Sequence, residues 1–184
     1  MIDYTKVKFQ RLETDTKIDS FHSADDDLND FFLNEAKKYQ SELLSVTYVV
    51  YYNDNLVAYF SLLNDVVRLE DTEKNVRNRI NRKIPFSKQR NHYAAVKLGR
   101  LAVDDRYTHQ GIGEMILKII PTMFLPRSKT GCRFITVDAL SSATPFCEAK
   151  GEFRFFTEKD KEDDTRLMYF DLKKLWLIIY VPAA

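Results

Sequence analysis

Residues 7–12 alternate apolar and polar positions, the period of a strand with one buried face. A polar stretch, 20–27, follows. Leu28, Phe31, Phe32, Ala36 and Tyr39 then recur at helical spacing, and Ser23 or one of Asp25, Asp26 and Asp27 is placed to cap that helix. Two aromatic and β-branched runs, 46–52 and 56–63, flank Asn53-Asp54-Asn55, which predicts a hairpin. Residues 71–82 read as a charged helical excursion, and 84–92, with Pro85, as a loop. The apolar run within 93–103 predicts a central strand. After a polar turn, Met115, Ile116, Ile119 and Ile120 mark a helix from 111 that Pro121 should end. Residues 132–140 form another apolar run. Ser141 or Ser142 is placed to cap a short helix reaching about Lys150, with Pro145 in its first turn. Residues 153–156 and 167–172 look like two closing strands joined by an acidic loop, 158–164. The order is strand, helix, three strands with a helical insert, helix, strand, helix, two strands, which is an α/β chain with a mixed sheet.

Composition narrows the class. At 184 residues, with 45% hydrophobic and 30% charged content, the chain reads as one soluble globular domain spanning 1–184. A net charge of +1 means that any nucleic-acid role must come from a local patch. Cys132 and Cys147 make neither a disulfide framework nor a metal-ligand pair, which fits free thiols in a reducing cytoplasm. Residues 1–10 carry Asp3, Lys6 and Lys8 and no long apolar core, so no signal peptide is expected. The apolar tail, 175–184, is shorter than the roughly 20 residues of a membrane span. It is expected to be buried, by completing the sheet, covering a core or pairing with a second copy as a homodimer.

The stretch that organises the chain is 97–120, KLGRLAVDDRYTHQGIGEMILKII. It reads strand, loop, helix. Gly111 and Gly113 let the backbone turn tightly, and the helix start presents unpaired amides suited to a phosphate. By itself Gly-x-Gly marks only a tight turn before a helix. The whole phrase, Leu-Gly-Arg-Leu-Ala-Val-Asp followed by Gln-Gly-Ile-Gly, resembles the coenzyme A-binding motif of the GNAT superfamily of N-acetyltransferases. The resemblance implies a mixed, mostly antiparallel sheet of six to seven strands flanked by helices and splayed between the fourth and fifth strands. It implies acetyl-CoA as cosubstrate and no metal. It places pantetheine on the backbone of Leu101, Ala102 and Val103, and the pyrophosphate on the loop and helix start, Thr108, His109, Gln110, Gly111, Ile112, Gly113 and Glu114. The family has Gln or Arg where this chain has Thr108. That removes one side-chain contact and leaves the backbone amides.

A second stretch, 137–151, resembles the family's last motif. Phe146, Glu148 and Gly151 match it, and Ser141, Ser142 and Phe146 join the implied cofactor-binding set. Cys147 stands where the family has the tyrosine that protonates, or donates a hydrogen bond to, the departing thiolate. Glu152 sits between Gly151 and Phe153, where the family has Gly-Phe directly. Three roles for position 147 stay open: solvent is the acid and the enzyme works without a side-chain donor, Cys147 is the acid or a nucleophile, or Cys147 is a small buried thiol in a weak enzyme or a pure cofactor binder. Asp138, Glu148, His92 and His109 are general-base candidates by residue type alone.

Phe21, Leu28-Asn29, Phe31-Phe32-Leu33, Ala36 and Tyr59-Phe60-Ser61-Leu62, with the 96–103 stretch, are similar to the toxin branch of the family. That likeness implies the amino group of an aminoacyl-tRNA as acceptor and a small antitoxin as partner. Independently, Lys74, Arg77, Arg79, Arg82, Lys83, Lys88, Arg90, Lys97 and Arg100 are basic, and residues 74–103 contain no acid. Such a segment either holds a phosphate backbone or is a solvated face balanced by the acidic loop 158–164. Three functions therefore compete: an N-acetyltransferase for aminoacyl-tRNA, or for a protein or small-molecule amine; a catalytically weak or silent CoA-binding protein; and a nucleic-acid or antitoxin binder that uses the basic segment alone.

Overall fold

A computed structural model describes residues 2–18, 20–82, 84–125 and 130–180, with side chains as far as Trp176. The strands are β1 (Val7–Arg11), β2 (Val46–Tyr52), β3 (Asn55–Arg68), β4 (His92–Val103), β5 (Phe134–Leu140), β6 (Arg154–Phe155) and β7 (Thr165–Asp171). The helices are α1 (Asp26–Asp30), α2 (Ala36–Ser41), α3 (Lys74–Asn81), α4 (Ile112–Ile119), α5 (Thr144–Gly151) and α6 (Lys173–Tyr180). Strand order in the sheet is β1-β2-β3-β4-β5-β7-β6. β4 runs parallel to β5, and β1–β2, β2–β3, β5–β7 and β6–β7 are antiparallel. The expected mixed, mostly antiparallel α/β sheet is therefore present. The chain divides into two compact units, 1–63 with 98–116 and 64–97 with 117–184, and each has its own apolar core.

In the first unit, the antiparallel β1–β2–β3 ribbon packs against α1 and α2. Asp25 caps α1 by accepting the Leu28 amide at 3.1 Å. A π-helical turn, Phe31–Glu35, joins α1 to α2. The widened turn sits where Phe31 and Phe32 enter the core. There Tyr59 stacks on Phe32 with ring centroids 4.2 Å apart, and Phe21 meets Tyr59 edge-on. The Tyr59 hydroxyl donates to the Leu28 carbonyl at 2.7 Å, and burial raises its pKa, so it stays protonated. The Asn53-Asp54 turn takes positive φ at both residues, as a tight hairpin requires.

In the second unit, Val67, Leu69, Val76, Ile80, Ala95, Phe134, Phe156 and Tyr169 form the core. β3 runs on to Arg68, beyond the 56–63 run, because Val67 remains a core residue past the polar pair Asn64-Asp65. β4 and β5 pair at only three described positions, Ala95 to Lys97 against Phe134 to Thr136, although both strands continue. Pro121 ends α4 as expected, and a 3-10 turn, Ile120–Phe124, follows. The tail forms α6. Trp176, expected to be covered, is 45% exposed, and residues 181–184 lie outside the described set.

Candidate functional site

The first unit contributes the end of β4 and the segment that follows it. Leu101 and Val103 are half-buried, and Ala102 is buried in the aromatic core. Asp104, only 1% exposed, fixes the chain as it leaves the strand. Its carboxylate accepts the His22 amide at 3.2 Å, the Arg106 amide at 3.0 Å and the Arg106 guanidinium at 2.8 and 2.9 Å. Its own amide donates to Val57 O at 2.9 Å, and the next amide, Asp105, donates to His22 O at 2.9 Å. Burial works against the charged carboxylate, but these bonds outweigh it and hold the group below the usual range. Asp104 stands in the sequence as the last residue of the Leu-Gly-Arg-Leu-Ala-Val-Asp phrase, without an assigned role; the signal for one was an acid directly after an apolar strand.

From this anchor, Thr108, His109, Gln110 and Gly111 are exposed. His109 and Gly111 both take positive φ, 58° and 88°. A Cβ on Gly111 would meet nothing within 4 Å, so conformation, not space, calls for glycine there. The first α4 bond is Met115 N to Gly111 O, at 3.0 Å. The amides of Ile112 and Gly113 thus precede the helical ladder at the positive end of its dipole. An exposed turn with left-handed residues running into a helix start is an anion-binding arrangement.

The second unit holds the other predicted residues. Ser141 and Ser142 are exposed after β5, and Phe146 is 39% exposed on α5. The serines do not cap α5. Its cap is Ala143, without a side-chain bond, because the Ser141 hydroxyl is drawn to Asp163 O at 2.6 Å, and the Ser141 amide to Asp164 O at 2.9 Å. Cys147 is buried, and burial pushes its thiol pKa up, so it stays a neutral thiol rather than a reactive thiolate. Glu152 closes α5 in the left-handed conformation, φ 55°, while Phe153 N returns to Cys147 O at 3.2 Å. The additional residue is thereby absorbed in the cap. A Cβ on Gly151 would lie 2.7 Å from the Phe153 ring, which explains the glycine by close approach.

Asp138 is not a free base: its carboxylate pairs with Lys97. The pair lines a cavity of about 190 Å³ with Asp65, Asp71, Thr136 and Arg68. The Thr136 hydroxyl donates to Asp65 there. His92, His109 and Glu148 are exposed. Among the described residues, no group of three or more His, Cys, Asp or Glu could hold a metal ion, and no helix is long and apolar enough to cross a membrane.

The basic segment divides. Arg100 packs its guanidinium 3.8 Å from the Phe31 ring centroid in the first unit. Arg77 donates to Leu69 O at 2.8 and 3.1 Å. Lys74, Arg77, Arg79, Arg82, Lys88 and Arg90 are exposed, and Lys83 lies outside the described residues. In the acidic loop, Glu158 and Asp160 pair with Arg166 at 3.4 and 3.2 Å.

With this geometry, the chain has the GNAT fold. Its structure is similar to that of a tyrosine-to-phenylalanine variant of KacT: TM-score 0.75, 20% identity, covering 94% of this chain and 99% of that one. It is also similar to AtaT complexed with acetyl-methionyl-tRNAfMet, with TM-score 0.73, 18% identity and 94% and 98% coverage. A third likeness is a tyrosine-to-phenylalanine variant of the AtaT toxin bound to the C-terminus of the antitoxin AtaR and acetyl-CoA, with TM-score 0.67, 18% identity and 94% and 97% coverage. No protein-family profile and no curated protein matches the sequence.

Proposed function

We propose that the chain acts as one domain, an acetyl-CoA-dependent N-acetyltransferase whose acceptor is the amino group of an aminoacyl-tRNA. The observation that carries the acetyl-CoA part of this reading is the exposed turn 108–111, held by Asp104 and running into the start of α4. Backbone amides from Thr108 to Glu114 hold the pyrophosphate of acetyl-CoA, and the backbone of Leu101, Ala102 and Val103 takes the pantetheine. In the second unit, Ser141, Ser142 and Phe146 are the proposed cofactor-binding residues. Loss of a long side chain at Thr108 is tolerated because amides and the helix dipole do the holding.

The neutral amine attacks the thioester carbonyl, forming the N–C bond. The C–S bond breaks, coenzyme A leaves as the thiolate, and the amine's surplus proton passes to water. The cavity lined by Asp65, Asp71 and Asp138, with Arg68 and Lys97, is the proposed acceptor pocket. Cys147, neutral and buried, is a weak donor to the thiolate, and solvent supplies most of the protonation. The complexes of AtaT with acetylated tRNA and with AtaR and acetyl-CoA support the acceptor, the cosubstrate and a small antitoxin partner. A cytoplasmic location fits that set. Burial of Cys147 also favours a second reading, a silent CoA binder.

Transfer from labelled acetyl-CoA to total aminoacylated tRNA separates the two readings. Wild type should transfer. Cys147→Ala should lose less than about tenfold in kcat, against the roughly 10²–10⁴-fold that a full general acid contributes. Absence of transfer to tRNA, peptides and small amines, restored by Cys147→Tyr, would establish the silent reading.

A further inference from the structure

A second cavity of about 190 Å³ lies in the second unit, between the end of α3 and the start of α6. It is lined by Arg79, Arg82, Arg133, Lys173 and Lys174, with Asp171 as the single carboxylate among the described residues. That carboxylate is already committed. It holds Arg133 through two bonds, at 3.2 and 2.9 Å, and accepts the Lys173 amide at 3.1 Å. Arg133 also donates to Ile80 O at 2.9 Å. Arg79 is steadied by a hydrogen bond to the Tyr169 hydroxyl. Lys174 reaches Glu152 only at 4.0 Å. Among the described residues, the side chains of Arg82 and Lys173 have no acidic partner. Burial, with the charges of Arg154 and Arg79, draws the Lys174 pKa down, the response of an ammonium in a positive field.

We infer that this cavity is a phosphate subsite that receives the backbone of an RNA. Its preformed cations, steadied by Tyr169 and Asp171, suit a tetrahedral anion. Among the described residues, no aromatic ring lines it on which a base could stack, so it positions a strand and reads no sequence. Exposed Lys74 lies on α3 with Arg77 and Arg79, and Arg82 follows the helix, a run of cations that favours a long polyanion over a lone phosphate. The choice of aminoacyl-tRNA as that RNA rests on the function proposed above.

The test is binding of uncharged tRNA to the full chain, by fluorescence anisotropy at several salt concentrations. Wild type, Arg82→Ala/Lys173→Ala and, as control, Lys17→Ala are compared, with melting curves to verify folding. The double variant should bind on the order of tenfold more weakly, with a log K against log salt slope shallower by about one, while the control is unchanged. Unchanged affinity and slope in a folded double variant would overturn the inference. So would polyglutamate bound as tightly as tRNA and lost in the same variant, because the site would then be one for acidic peptide. Weakened tRNA binding with no acetyl transfer by wild type keeps the subsite and discards the acceptor. Transfer to tRNA with binding indifferent to the double variant does the reverse.

Discussion

At the scale of single residues, charge type is plain in a sequence and partner is not. Arg100 reads as part of a basic segment, yet it lies on the Phe31 ring, where a cation over an aromatic face is favourable. Asp138 reads as a candidate base, yet it faces Lys97. Asp104 carries no assigned role as one of two adjacent acids, yet it gathers four hydrogen bonds. Its pKa is depressed in the folded chain, so its contribution is present above the unfolded value of about 4 and is lost as pH falls through the folded value. Asp104→Asn should therefore destabilise at pH 7 by about 2 kcal/mol. The gap to wild type in chemical denaturation should narrow as pH falls below about 4. A gap that is constant down to pH 2 would show that the charge of Asp104 does not matter.

At the scale of elements, periodicity and punctuation located the strands and helices well. The 7–12 alternation is β1, the paired aromatic runs are β2 and β3, and the apolar stretch before the glycines is β4. What was not legible depends on tertiary partners. Nothing local marks the π-helical turn at Phe31–Glu35, and no periodicity shows that β3 runs to Arg68. The serine cap predicted for α5 failed because the acidic loop offers carbonyls to Ser141. Glu152, which disturbs the family spacing, is accommodated as a left-handed cap. A non-glycine residue costs about 1 kcal/mol in that conformation. Glu152→Gly should raise Tm by about 2–4 °C, the shift that 1 kcal/mol produces at this size. A lowered Tm would mean that the carboxylate's approach to Lys174 outweighs the backbone strain.

At the scale of the whole molecule, the fold was open to sequence reading because one continuous phrase, 97–120, carries strand, anion-binding turn and helix together. The 137–151 stretch was less legible: Ser141, Ser142, Phe146 and Cys147 are singled out by the resemblance of their motif, and burial of Cys147 emerges only when β5 and α5 are in place. The same limit applies to the basic segment: that Arg166 takes two of the carboxylates of loop 158–164, Glu158 and Asp160, is visible only in the fold. Because the charges of Arg79 and Arg82 are left in place, binding to any RNA should weaken steeply between 50 and 200 mM salt, by roughly 10³-fold if about six phosphates are contacted. Salt-independent binding would remove the electrostatic role of that surface.

The central claim is that the turn 108–111 and the start of α4 hold acetyl-CoA. Titration calorimetry of acetyl-CoA into wild type and Gly111→Val tests it most directly. A β-branched residue at φ 88° forces the turn to change shape, although space is not limiting. Wild type should bind one acetyl-CoA per chain, and the folded variant should bind on the order of tenfold more weakly or not at all. No binding by wild type, or equal binding by the two proteins, would contradict the claim.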